Sequence, residues 1–362
     1  MEATPWMLVE GAEAGHVSRF ESIGVKLPEK RLTTSELMAS TRHHAHIDLE
    51  RLTGIRERRV CSDGEDSLTL AIDAAQDCLL RSRYGAADLD IVMCTSITRY
   101  VGGLSFVIEP PLSLSIKEAI GARSAMHFDL SNACAGMMTG VFLLNKLIAR
   151  GAIRRGMVVS GEFISGLGAN AAREVRGVYS RQLASLTLGD AGAAVIVDRA
   201  TDAQPGIVFA GFTTISEHSR LCRGFPAPRQ PGGKMLTKAR TIHKVAMQDA
   251  PPLLDEVLER TGLRVSDVDW LIPHQTSARA IRAGVRVLGE HFGGTPKNTI
   301  VNCEELGNTA STTHFVALHR WLTEGRFREG DKVMLLSLAS GLEIGVIVLV
   351  MDDLVRTHGN VH

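Results

Sequence analysis

The sequence predicts an α/β fold made of two similar halves, layered α-β-α-β-α. Short β-branched runs alternate with amphipathic helical patterns along the chain. The runs are continuously apolar rather than alternating, which is the pattern of strands covered on both faces. The ground plan also recurs. Ala-Ala-Asp-Leu-Asp-Ile-Val-Met-Cys-Thr-Ser around Asp90 is matched by Val-Ser-Asp-Val-Asp-Trp-Leu-Ile-Pro-His-Gln around Asp269, an offset of 179 residues from 90 to 269. Cys134 and Asn308 are each followed by an apolar stretch and then by Ala-Arg-Gly-Ala-Ile-Arg-Arg-Gly (149–156) or Thr-Glu-Gly-Arg-Phe-Arg-Glu-Gly (323–330). That pairing has an offset of 174, so the second copy is expected to have lost about five residues.

Strands are expected at Ile91–Met93, Met157–Ser160, Ala194–Val197, Val333–Leu336 and Val346–Val350, where β-branched residues concentrate. Helices are expected over 67–81, 136–149, 243–260, 277–289 and 311–323, where apolar residues recur at helical spacing. The stretch Thr201-Asp202-Ala203-Gln204-Pro205-Gly206 marks the boundary, giving halves 1–203 and 204–362. Residues 216–240 hold Gly, Pro and Arg in no clear period and are expected to form a long functional loop or cap. The tail after Asp353 is expected to fray.

Composition narrows the class. The chain has 362 residues, 44% hydrophobic and 22% charged, long enough for about two core units. Forty basic residues balance forty acidic ones, so nothing advertises nucleic acid or an anionic membrane as partner. There is no 18-residue apolar run and no signal-peptide pattern at the start, so a cytoplasmic protein is expected. Six cysteines lie without Cys-x-x-Cys spacing, which argues against a zinc ribbon, a thioredoxin motif or a disulfide framework; most are expected to be reduced and structural. Arg-His-His-Ala-His at 42–46 lacks a second ligand cluster and reads as a polar loop or helix face, not a metal site.

The two copies bring three reactive side chains to strand and helix ends near one seam. Cys134 sits between a strand ending near Leu130 and an apolar helix, in Leu130-Ser131-Asn132-Ala133-Cys134-Ala135-Gly136. A helix N-terminus favours an anion, so the thiol is expected to ionise below its ordinary pKa of about 8.5, at which only about 3% is thiolate at pH 7. The alternative is an inert buried cysteine. His274 follows the apolar run Trp270-Leu271-Ile272, at the strand end where open α/β sheets place ligands. Asn308 precedes a helix, and taken alone it is simply an N-cap.

Asn-Ala-Cys-Ala-Gly, Pro-His-Gln-Thr and Gly-Asn-Thr-Ala-Ser, in that order and at these spacings, resemble β-ketoacyl-ACP synthase III of the thiolase superfamily. The resemblance covers nearly the whole chain. Ser22-Ile23-Gly24, Thr53-Gly54-Ile55-Arg56-Glu57-Arg58, Gly189-Asp190-Ala191-Gly192 and Gly341 to Gly345 are similar to further family landmarks. It implies a thiolase-like fold, a homodimer, acyl-carrier protein or CoA thioesters as partners, no cofactor, and a triad of Cys134, His274 and Asn308. Cys134 is then the nucleophile that takes the acyl group. The amides of Cys134 and Gly341 hold the oxyanion, and His274 and Asn308 donate to the enolate of the second substrate.

Two departures refine the expectation. Asp48 and Leu52 stand where acetyl-CoA-using members carry a Trp and an Arg, which weakens that mode of CoA binding. Glu109, in Phe106-Val107-Ile108-Glu109-Pro110, replaces an apolar residue on a loop that reaches the partner's acyl pocket. With Ser216–Gly224, it resembles the non-decarboxylative relatives, including the head-to-head condensing enzymes of olefin biosynthesis and the pseudopyronine and dialkylresorcinol-type synthases. A desolvated carboxylate there would serve as α-proton base. The expected reaction is Claisen condensation of two acyl thioesters. Alternatives are a decarboxylative synthase using malonyl-ACP, acyl transfer to oxygen or nitrogen, and a non-catalytic partner subunit.

Overall fold

The computed structural model of the chain describes residues 7–8, 16–201 and 205–358. Two mixed sheets repeat one order. In the first, Ser18–Lys26, Ala191–Arg199, Arg155–Glu162, Ile91–Cys94 and Met126–Asp129 lie side by side. In the second, Ile207–Thr214, Glu343–Val350, Lys332–Ala339, Trp270–Pro273 and Asn298–Thr299 follow the same sequence, with Met7–Leu8 added beside Ile207–Thr214. The pairings match as well: two antiparallel ladders and then two parallel ones in each half. The expected boundary falls at residues 202–204, outside the described ones.

Five layers result, as in thiolase-like folds. The helices Gly136–Ala149 and Thr313–Thr323 fill the space between the sheets, and Gly136–Ala149 touches both. Their apolar faces join Ile23, Val158, Val195, Leu335 and Ile347 in one continuous core. Ser67–Leu80 and Leu112–Ile120 cover the outer face of the first sheet, and Ala239–Thr261 and Ala278–Phe292 that of the second. Each fully buried Leu, Ile or Phe contributes roughly 1.5–3 kcal/mol, which is why strands apolar on both faces specify this layering.

Helix ends show which groups are committed. Asp66 caps Ser67–Leu80 and Ser277 caps Ala278–Phe292, each accepting a first-turn amide. The two central helices have no side-chain cap, and each grows out of a 3-10 turn, Ala133–Ala135 or Ala310–Thr312. Those turns are equivalent. The residue ahead of Cys134, Ala133, has φ 43°, and Ala310 has φ 54°, both in the left-handed region.

Several expectations change. The equivalent turns and helices are offset by 177 residues, so the structural mate of Cys134 is Ser311, not Asn308. The offset of 174 holds only past the helices, because Thr313–Thr323 has 11 residues where Gly136–Ala149 has 14. Residues 216–240 are more than a loop, holding the 3-10 turn Ser216–Leu221 and the hairpin Cys222–Pro226/Gly233–Thr237. After Asp353 the chain forms the short helix Leu354–Thr357 and buries His358.

Candidate active site

A cavity of about 1070 Å³ opens at the seam, and Cys134, His274 and Asn308 all line it. The turn Ala133–Ala135 places Cys134 against the strand Lys332–Ala339 and against the turn Ala310–Thr312. Half-buried, the residue keeps one side open to the cavity while packing beside Ala310 and Leu188. Enclosure decides its ionisation. Burial pushes the Cys134 thiol up to about 12, and neighbouring Cys222 and Glu162 push the same way; only its own amide acts against them. This reverses the expected drop. The helix end is there, but the sulfur is packed among largely apolar walls, and desolvation outweighs the amides.

His274 continues the strand Trp270–Pro273, and its amide donates to the Leu336 carbonyl at 2.8 Å. Burial, with His314 nearby at a ring separation of 6.0 Å, pulls its imidazole down to about 3, so it is neutral. Its Nδ1 is buried without a partner among the described residues.

Asn308 is pinned by the segment Thr187–Gly189 that runs beside it. Its amide donates to Thr187 (2.8 Å) and its carbonyl accepts from Gly189 (3.0 Å). That approach requires glycine: a Cβ on Gly189 would lie 2.2 Å from the Leu306 carbonyl, and Gly307 has φ +67°. The Ala310 amide donates to Asn308 Oδ1 at 3.0 Å. With the oxygen engaged, the side chain offers its NH₂ as donor.

Gly341 lies in the turn between Lys332–Ala339 and Glu343–Val350, next to cavity-lining Ser340, with φ +144°. Glu109 is not brought to this cavity. It is exposed on the surface of the single chain, three residues beyond cavity-lining Phe106. Glu109 is expected to reach a partner's pocket, and in the single chain it is open to the surface from which such a contact would be made. Leu52 lines the cavity, and Asp48 caps the helix Leu49–Thr53, accepting from the Arg51 amide.

Sequence reasoning missed three features. Cys222, expected to be structural, lines the cavity from the hairpin. The hairpin itself is fixed to the helix Ser165–Glu174, where Asn170 donates to the Pro231 and Gly233 carbonyls and Lys234 pairs with Glu174. Glu162, a charge at the end of an apolar strand, is fully buried against Ser311. Among the described residues no group of three His, Cys, Asp or Glu side chains could hold a metal.

This architecture is that of the thiolase-like condensing enzymes. A cysteine-to-serine variant of Xanthomonas campestris OleA, with bound lauric acid and lauroyl-CoA, matches with a TM-score of 0.81 at 22% identity, covering 92% of this chain and 99% of that one. The 3-oxoacyl-[acyl-carrier-protein] synthase III of Aquifex aeolicus matches with a TM-score of 0.77 at 23% identity, covering 92% and 100%. In sequence, residues 128–216 match the family 3-oxoacyl-[acyl-carrier-protein (ACP)] synthase III, and residues 258–351 match its C-terminal family. The β-ketoacyl-[acyl-carrier-protein] synthase III of Symbiobacterium thermophilum is 30% identical over 339 residues, 90% of this chain and 96% of that protein. The chain belongs to the β-ketoacyl-[acyl-carrier-protein] synthase III family and is a condensing acyltransferase.

Proposed function

We propose that the enzyme joins two acyl thioesters by Claisen condensation through an acyl-Cys134 intermediate. The convergence of Cys134, His274 and Asn308 on one largely apolar cavity carries this reading. Leu104, Phe106, Met247, Val285, Leu288 and Leu336 give it walls suited to alkyl chains. Exposed Arg181, Lys238, Arg240 and Arg279 also line it, cations that suit a phosphate-bearing carrier, CoA or acyl-carrier protein.

In the first step Cys134 Sγ attacks the thioester carbonyl, the carrier leaves as a thiol with the proton from Cys134, and a new thioester remains on the enzyme. With the resting thiol protonated and His274 neutral, the Cys134 proton passes to the departing carrier sulfur as the C–S bond breaks. In the second step the α-carbon of the next thioester loses a proton, and its enolate oxygen accepts from Asn308 and His274. The carbanion attacks acyl-Cys134, the C–S bond breaks, and Cys134 regains a proton as the β-ketoacyl thioester departs.

The α-proton base is the partner subunit's Glu109, in a homodimer. Met126–Asp129 is an edge strand of its sheet, and Met126 and Phe128 are 60% and 40% exposed. Phe106 and Ile108 add 56% and 71%, an apolar surface that a second copy would cover. The Glu109 segment is tied to that edge, since Asp129 accepts from the Leu112 and Ser113 amides just beyond it. The described cysteines are all free, which suits the reducing cytoplasm. No helix among the described residues is long and apolar enough to cross a membrane.

Incubation with lauroyl-CoA, without malonyl thioester, tests the reading. A β-ketoacyl product formed with no CO₂ release is expected. Product only when malonyl-ACP is supplied would favour the decarboxylative reaction instead.

A further inference from the structure

A buried carboxyl beside the reactive turns sits where the two halves meet, and the steps above leave it unused. Glu162 ends the strand Arg155–Glu162 and is fully buried. It accepts from both halves. The Ile97 amide and the Ser160 hydroxyl donate to Oε1 at 3.1 Å each, and the Thr98 amide and hydroxyl reach Oε2 at 3.4 Å. From the second half, the Ser311 hydroxyl donates to Oε1, and Ser311 and Ser160 are 2.8 Å apart. These partners are hydroxyls and amides rather than cations, so joining the halves alone would need no carboxyl; a neutral side chain would do so at lower desolvation cost.

Its location gives the carboxyl a use. Ser311 lies three residues beyond Asn308, in the turn Ala310–Thr312 that packs on the Cys134 turn, and it is the structural mate of Cys134 itself. We propose that Glu162 is a positioning residue for condensation: through Ser311 it holds the Asn308 turn in register with the Cys134 turn across the seam. This rests on the acyl-Cys134 reaction proposed above. The same carboxylate opposes ionisation of Cys134, so a variant separates its effects in opposite directions. Burial pushes the Glu162 carboxyl up to about 7, so assays at pH 8 keep it charged.

The test compares wild type, Glu162→Gln, Ser311→Ala and the double variant at pH 8. Iodoacetamide labelling of Cys134 needs no substrate, so it decides the inference even if the wild type proved to use another acyl donor. Glu162→Gln should label several-fold faster than wild type, which simple loosening of the fold would not produce at Cys134 alone. With lauroyl-CoA, acylation should stay within a few-fold, while kcat for condensation falls about ten- to a hundredfold with little change in KM, as expected of a misplaced donor. Ser311→Ala should lower condensation alike, and the double variant should be no worse than either single one. Unchanged or slower labelling in Glu162→Gln, equal loss of acylation and condensation, or additive losses would each overturn it. Failure of the wild type to form acyl-Cys134 would count against the proposed function and not against this role.

Discussion

Ser311 stands in the second half where Cys134 stands in the first, 177 residues later, each in a 3-10 turn led by an alanine at positive φ. The turns pack on each other across the seam between the halves. One therefore presents sulfur to the cavity while its mate turns a hydroxyl onto Glu162. The reactive centre is asymmetric chemistry on a symmetric frame, and the following outcomes test it.

Replacing Cys134 by Ala removes the only group assigned to carry the acyl chain. Turnover should fall by about a thousandfold or more, with the fold intact by circular dichroism. Persistent turnover would place the intermediate elsewhere.

In the proposed reaction His274→Ala and Asn308→Ala each delete one donor to the enolate. Condensation should drop by about 3–4 kcal/mol in barrier, roughly a hundred- to a thousandfold. Asn308→Ala should leave acylation nearly unchanged, as single-turnover mass spectrometry would reveal.

The raised Cys134 thiol makes a pH prediction. Labelling by iodoacetamide should climb about tenfold per pH unit from 7 to 9 without levelling off, because the thiolate fraction is still far from saturation. A plateau below pH 8 would mean that the helix amides win over burial after all.

Burial pulls His274 and His358 down to about 3 and His314 to about 4. Unfolded, each titrates near about 6.5. Between those values the unfolded chain binds more protons, so stability rises with pH through this window and is lost as pH falls through it. The thermal midpoint should therefore decline from pH 7 toward pH 4; a flat or rising midpoint would contradict the buried neutral imidazoles.

Glu109→Gln should abolish condensation while Cys134 still acylates. Mixing it with Cys134→Ala under subunit exchange should restore about a quarter of the wild-type rate, since half the dimers are hybrids with one intact site of two. No recovery would rule out a base supplied across the interface.

Much of this was legible in the chain. Strands buried on both faces leave unbroken apolar runs, so Met157–Ser160 and Val346–Val350 announced themselves. A small-residue turn before an apolar helix marked Cys134, and a polar turn after an apolar strand marked His274. The pairing of Cys134 with Asn308 fails because the matching landmarks lie past the helices, and a three-residue difference in helix length shifts them. The hairpin was hidden because it is held by the helix Ser165–Glu174 rather than by its own periodicity. The thiol's ionisation is not legible in the chain because a local helix end is visible in sequence, whereas the apolar walls around the sulfur are a product of tertiary packing.

Intact mass of the wild-type protein after exposure to lauroyl-CoA, read beside Cys134→Ala, tests the central claim most directly. One lauroyl group per chain, mapped to Cys134 and absent from the variant, is the predicted result. An unmodified wild type across a panel of acyl thioesters, or an equal adduct on the variant, would contradict it.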